Sequence, residues 1–416
     1  MTTASLRCLS CAAALPAVAH YACPVCRGEL DVAYDLPRIR AEGSFARTWS
    51  MPGSLAARFA PLLPLAAPDC AVSLGEGGTK LVRSHRLAAR LGLRELHFKL
   101  ESGNPTGSFK DRQVAIGLSK ALEWGAARFA TVSSGNVGVA LAAYAARAGV
   151  AAYAWVPGGT PAAKLCQIQV YGARLFLLPA PEQGGTEAYF GAVQGLAAYC
   201  APLGLVPMIS ARPVNPYMVE GAKTIAYELA AELGRAPDVV ALPAGGGGLV
   251  GGVHKGFQEL QAIGLTASLP RLLAAQRRAY FAPIDDLDNP RYRSGHYIPM
   301  DGQWAWGAIG DSGGSLRHPA DADIADAQHI LATEEGIFAE PRGAFAAAAL
   351  LTAVADGTID RDACIVCIIS GHGLKDIAAA EEIVAYQPAP SSVATLEGTD
   401  PAALWAGPPD APAVLR

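Results

Sequence analysis

The chain has 416 residues, of which 51% are hydrophobic and 17% charged, and its formal net charge is −4. That is enough chain for two lobes and an accessory module, and enough apolar side chain for a large core. It excludes a basic nucleic-acid-binding surface, and no run approaches the length of a membrane span.

The first residues, Met1 to Cys8, lack the apolar core of a signal peptide. Cys8, Cys11, Cys23 and Cys26 then form C-x2-C-x11-C-x2-C. Two such knuckles supply four thiolates for a tetrahedral Zn2+ site, structural because no position is left for water. The alternative is a metal-free ribbon. Cys70, Cys166, Cys200, Cys364 and Cys367 read as buried thiols. Cys364 and Cys367 fall on opposite faces of one strand, so that pair reads as core rather than metal. Nine cysteines, an odd number, suit a reducing compartment, and the expected location is cytoplasmic.

Residues 1–35 are the cysteine module, and residues 36–95 lead in with helix-like stretches. From Glu95 onward, strands at Leu96–Leu100, Arg128–Val132, Ala151–Val156 and Arg174–Leu178 alternate with helices starting at Ser108, Gly135 and Pro161. A second set runs from Tyr217 to Ile369. This alternation predicts an α/β fold with mostly parallel sheets covered on both faces. Residues 386–416, rich in Pro, Ala and Ser, read as a tail or arm. The expected assembly is a homodimer.

Four segments carry chemistry. In Glu101–Arg112 a Gly/Pro-rich loop runs into a helix whose capping-box spacing is Ser108 to Asp111. Lys110 falls in its first turn, where the helix dipole disfavours a cation. A neutral lysine there is a nucleophile able to form a Schiff base with an aldehyde, above all that of pyridoxal phosphate. Alone, Lys110 reads as well as a surface lysine. Ser133, Ser134, Gly135 and Asn136 follow an apolar strand and open a helix, so their N–H groups suit a carboxylate, or merely cap the helix. Gly245, Gly246, Gly247 and Gly248 follow the strand 238–242 and open another helix. They suit a phosphate, or a plain flexible turn, and match neither a Walker nor a dinucleotide fingerprint. Ser370 ends the apolar run Cys364–Ile369, where a hydroxyl can face a ring nitrogen or cap a helix. His372 and Lys375 read as ordinary loop and surface residues.

In that order these motifs resemble the fold-type II pyridoxal-phosphate enzymes, and most closely the threonine synthase family. Leu74–Leu81, Asn215–Thr224 and Glu335–Pro341 are similar to it as well, up to about residue 385. The resemblance implies two open parallel lobes with the cofactor in the cleft, a larger lobe from 36–95 and 205–385 and a smaller one from 96–204. It implies that Lys110 bonds the cofactor aldehyde and is the main acid/base. Asn136 would contact the ring hydroxyl, Gly245 to Gly248 the phosphate, and Ser370 the pyridine nitrogen. Ser133, Ser134 and Gly135 would receive the substrate carboxylate. A neutral hydroxyl at the ring nitrogen suits elimination and replacement better than transamination.

The implied reaction is O-phosphohomoserine plus water to threonine plus phosphate. The sequence also departs from the family. Met218 stands where an arginine is usual, Arg212-Pro213 where Asn-Ser is usual, Lys80 for proline, Val137 for a hydroxyl and Leu249 for a polar residue. A phosphate leaving group needs charge-assisted donors, and Arg212 is the candidate for supplying them. The all-glycine loop is more like serine and threonine dehydratases. The second reading is therefore a β-eliminase or β-replacement enzyme on serine, threonine or an activated serine. A catalytically dead regulator is the third, opposed by Lys110, Asn136 and Ser370. The segment Tyr280–His318, rich in aromatics, reads as a substrate lid, a dimer contact or a packed surface excursion.

Overall fold

The computed structural model describes residues 4–133, 135–180, 185–277 and 300–384. The cysteine module is a three-stranded antiparallel sheet of β1 (Ala4–Cys8), β2 (Ala14–Pro16) and β3 (Leu30–Tyr34), in the order β2-β1-β3. The strands that follow are β4 (Leu81–Arg83), β5 (Glu95–Leu100), β6 (Arg128–Val132), β7 (Ala151–Pro157) and β8 (Arg174–Leu178). After them come β9 (Val206–Pro207), β10 (Val239–Pro243), β11 (Arg271–Ala275), β12 (Ser315–Arg317) and β13 (Cys364–Ile369). They make two sheets, one of six strands in the order β12-β11-β10-β13-β5-β4 and one of four in the order β8-β7-β6-β9. Every pair is parallel except β4 with β5.

Burial on both faces explains the apolar runs of the central strands. All of Val239–Pro243 and all of Cys364–Ile369 are buried. Alternate residues serve two cores. Val240, Leu242, Val366 and Ile368 face the helices Pro216–Leu233 and Gly248–Ala262. Val239, Ala241, Ile365, Cys367 and Ile369 face the helices Asp321–Glu335 and Pro341–Ala355. A sheet clad on both sides needs no polar alternation.

The lobe boundary differs from the sequence expectation at two strands. β5, counted there with the smaller lobe, pairs along its full length with β13 in the six-stranded sheet. β9, counted with the larger, pairs with β6. Alternation of pattern reveals strands but not their partners, and β5's neighbour lies far away in sequence. Two of the thiols expected to be buried, Cys70 and Cys166, are exposed. Among the described residues no helix is long and apolar enough to cross a membrane.

Candidate active site

The parallel pairing of β5 with β13 sets the site, because it brings two C-terminal strand ends side by side. Phe109 N donates to Ser370 O at 3.1 Å, and His372 N to Gly107 O at 2.9 Å. The Lys110 loop and the Ser370 loop are thus laced together through their backbones. Gly107 takes φ +81° there, a conformation that favours glycine.

The helix starts at Lys110 itself, with no side-chain cap. The expected capping box does not form. Asp111 instead accepts from Thr106 N at 2.8 Å and Thr106 Oγ1 at 2.7 Å, and Ser108 Oγ is buried without a partner. Thr106 wins because the loop doubles back beneath the helix. Lys110 is half-buried. Its Nζ donates to Ser210 Oγ at 2.6 Å and Gln113 Oε1 at 3.0 Å, and lies 4.5 Å from the Phe109 ring centre. Desolvation brings its pKa down from 10.5 to about 7; Asp301 opposes the shift and Arg342 adds to it. The dipole argument reached the right sign, but burial in the cleft is the main cause.

The glycine loop lies beside this amine. Ser210 O is 3.2 Å from where a Cβ on Gly248 would stand, so Ser210 touches both Lys110 and the loop. Gly245 and Gly247 take φ +51° and +104°. A Cβ on Gly245 or Gly246 would meet nothing within 4 Å, whereas one on Gly247 would stand 2.4 Å from Asp301 O. One side of the loop is therefore open, and the other is packed on Asp301. The helix Gly248–Ala262 begins here, directing its N–H groups towards the opening. Asp301 Oδ1 accepts from Arg212 N at 2.9 Å, Oδ2 is buried without a hydrogen bond, and burial raises its pKa to about 7.

Asn136 opens the helix Asn136–Ala148. Its Nδ2 donates to Glu340 Oε1 at 2.6 Å, while Oδ1 is buried and unpartnered. Glu340 also ion-pairs with Lys164, which lies against Gly135, at 2.8 Å, and its own N–H donates to Gly371 O at 3.1 Å. It thereby joins the Asn136 loop to the Ser370 loop. Ser133 Oγ accepts from Gly135 N at 3.1 Å, and Lys164 Cδ lies 2.5 Å from a would-be Gly135 Cβ. Ser134 lies outside the described residues. Ser370 Oγ donates to Arg342 O at 3.4 Å.

Lys110, Ser370, Asn136, Ser133, Gly135 and the glycine loop are thus linked through shared neighbours. Arg212 is placed differently from the expectation. Its guanidinium ion-pairs with Glu29 of the cysteine module, lies 3.9 Å from Asp31, and stacks 4.2 Å above the Trp304 ring centre. Met218 is fully buried core. Lys375 is buried too, correcting the surface reading, and its Nζ holds Thr106 O at 2.7 Å. Of the aromatic segment, Tyr280, Phe281, Tyr292 and Tyr297 lie outside the described residues. Trp304 sits on the helix Gly302–Asp311, packed where a Cβ on Gly251 would clash at 2.3 Å.

Sequence reasoning missed Gln113, Ser210, Asp301, Lys164 and the role of Glu340 as a link. Gln113 had a signal, since a residue three after Lys110 on a helix shares its face. Ser210 and Asp301 arrive from distant elements and had none.

The four cysteines meet in the module. Cys8 Sγ lies 3.5 Å from Cys26 Sγ, Cys11 Sγ 3.7 Å from Cys23 Sγ, and all four sulfurs lie within 4.8 Å of one another. The two knuckles repeat one turn. Ala12 N donates to Cys8 O and Arg27 N to Cys23 O, and Ala12 and Arg27 are the non-glycine residues at φ +59° and +63°.

Two open parallel α/β lobes, a lysine amine near neutrality and an open glycine cradle at a helix start define a pyridoxal-phosphate enzyme of fold type II. The chain belongs to the pyridoxal-phosphate-dependent enzyme family, whose pattern matches residues 72–371. It is similar to threonine synthase of Methanosarcina acetivorans, 36% identical over 389 residues that cover 89% of this chain and 92% of that one. Threonine synthase of Methanocaldococcus jannaschii is 35% identical over 373 residues, covering 86% and 89%. In fold it resembles threonine deaminase isoform 2 of Solanum lycopersicum, with TM-score 0.60, 21% identity and coverage of 79% and 92%. The chain is thus a pyridoxal-phosphate-dependent, threonine-synthase-like lyase.

The residues present fit the cofactor. The open side of Gly245 and Gly246 leaves room for a phosphate, and the orphaned Asn136 Oδ1 lacks a donor that a ring hydroxyl would supply.

Proposed function

We propose that Lys110 bonds pyridoxal phosphate and that the enzyme eliminates or replaces a substituent on an amino acid. The observation that carries this is the Lys110 amine, desolvated to a pKa of about 7 and tied through Ser210 to the glycine cradle. When bound, the cofactor supplies an aldehyde for amine capture and a ring that accepts electrons. Gly245 to Gly248 and the helix start behind them hold its phosphate, Asn136 its ring hydroxyl, and Ser370 its ring nitrogen. Ser133, Ser134 and Gly135 orient the substrate carboxylate. Lys110 Nζ takes the substrate α-proton and returns it, which a near-neutral pKa favours in both directions. The six-stranded sheet and its helices form the larger lobe in this reading, the four-stranded sheet the smaller, and residues 1–35 the accessory module.

The first specific reaction is that of the similar threonine synthases, O-phosphohomoserine plus water to threonine plus phosphate. Identity across most of both chains supports it. The second reading, β-elimination or β-replacement on serine, threonine or an activated serine, gains from Arg212 and Met218. Arg212 is engaged by the module and Met218 has no hydrogen-bond donor, so the donor set for a leaving phosphate is thinned out. Phosphate release from O-phosphohomoserine decides between them. No phosphate, alongside keto acid or a replacement product from a serine-type substrate, rejects the first. The Lys110→Ala variant should lose the visible absorbance band of the wild type; a colourless wild type that cannot take up the cofactor rejects the whole proposal.

The four sulfurs form a soft donor set suited to a structural Zn2+, and metal analysis of Cys8→Ser tests it. None of the nine cysteines forms a disulfide, which suits the expected cytoplasmic location. Phe176 and Leu177 are exposed on the edge strand β8, a surface that suits the expected homodimer; sedimentation tests that.

A further inference from the structure

Both hydrogen-bond partners of Lys110 are neutral, and each can donate as well as accept. Ser210 offers a hydroxyl at 2.6 Å and Gln113 a carboxamide at 3.0 Å. Gln113 lies one helical turn beyond Lys110 and is fully buried. Its Nε2 is buried with no hydrogen-bond partner. An unpaired buried N–H costs about 1–3 kcal/mol, so its retention beside the amine asks for a reason. An amide whose other end is bonded elsewhere has a fixed orientation. This one can turn end for end without breaking a second bond. Oε1 then accepts from an ammonium, and Nε2 donates to the lone pair of a neutral amine. The Ser210 hydroxyl rotates to the same effect. Among the described residues, the ionisable groups that face Lys110 are Asp301, which draws a proton to it, and Arg342, which repels one. Neither is its hydrogen-bond partner.

We propose that Gln113 and Ser210 are positioning residues that hold the Lys110 amine in one place in both of its protonation states. This rests on Lys110 being the reacting lysine. A group that alternately takes and gives a proton needs partners that favour neither form. A carboxylate at Gln113 would lock the ammonium, and an apolar group would release the side chain to wander.

The test reads Lys110 in the cofactor-free, full-length protein. Reductive methylation with formaldehyde and borohydride across a pH series, followed by peptide mass spectrometry, gives the midpoint at which Lys110 becomes reactive. The wild-type midpoint should lie near 7. In Gln113→Glu it should rise by at least one unit, slowing methylation at pH 7 about fivefold or more. Circular dichroism matching the wild type confirms that the variant is folded. Gln113→Met, similar in shape and uncharged, should keep the cofactor's visible band and the KM, while kcat falls roughly 10- to 100-fold. Ser210→Ala should do the same. An unchanged midpoint in Gln113→Glu, or wild-type kcat in Gln113→Met, overturns the proposal. Failure of the underlying reading looks different: Lys110→Ala would keep the visible band, and cofactor would not protect Lys110 from methylation.

Discussion

Lys110 is held in place by the residue two positions later. Arg112 is fully buried, and its guanidinium meets Glu101 at 2.7 Å and Glu228 at 2.7 Å and also donates to the Thr79 and Thr224 hydroxyls. Lys99 adds a second cation to Glu228 at 2.9 Å. These groups tie the Lys110 helix to the Leu74–Leu81 motif and to the helix Pro216–Leu233. Arg112→Met would leave Glu101 in the interior with no cation, which should cost about 3–5 kcal/mol. Urea unfolding of the cofactor-free protein measures it. The Arg112 and Lys99 charges hold the Glu228 carboxyl below its ordinary value of 4.5. A depressed folded pKa adds stability above the unfolded value, and that stability is lost as pH falls. The wild type should therefore weaken below about pH 4.5, and the variant should lose part of that dependence. Sequence reading singled out the lysine and left Arg112 unremarked, because a buried ion network is assembled from four segments that pattern alone does not align.

At the scale of the element, the glycine loop separates folding from cofactor binding. Gly246 has open space where a Cβ would stand, whereas Gly247 has φ +104° and the Asp301 carbonyl at 2.4 Å. Gly246→Ala should fold with wild-type stability yet take up pyridoxal phosphate more weakly, since the methyl fills the side left for the phosphate. Gly247→Ala should lose stability as well, by about 1–3 kcal/mol. Spectral titration with the cofactor, paired with thermal melts of the cofactor-free protein, distinguishes them. Undiminished cofactor uptake by a folded Gly246→Ala would mean that the open side is not the phosphate side. The run of four glycines was legible because it is costly without a purpose. Which of the four stand open was not, because Asp301, far away in sequence, decides it. β5, β6, β7, β8, β10 and β13 were legible almost to the residue, since apolar runs mark buried parallel strands, whereas β1 to β4, β9, β11 and β12 were not read. Their order was not, as β5 shows by joining the sheet of β13.

Across the whole molecule, the cysteine module is part of the catalytic body rather than an appendage. Glu29 pairs with Arg212, whose backbone N–H holds Asp301 beside the glycine loop. Lys255 bonds Asp31 at 2.9 Å and Glu220 at 2.8 Å, and Tyr34 OH donates to Glu220 at 2.7 Å. Tyr217 OH donates to Val18 O, and Tyr21 packs edge-on against both Trp124 and Tyr217. On the proposed zinc site, a module with so small a core would depend on the metal for order. Chelation should therefore loosen β1 to β3 and uncover Trp124, shifting its fluorescence to the red, and the shift should vanish in Trp124→Phe. Because Arg212 then loses Glu29, the backbone bond to Asp301 loosens, and cofactor affinity should fall about tenfold with Lys110 unaltered. Spectral titration before and after chelation, with zinc added back as the control, checks this. Undiminished affinity in chelated protein whose Trp124 has shifted would show that the module folds against the enzyme without steadying its site.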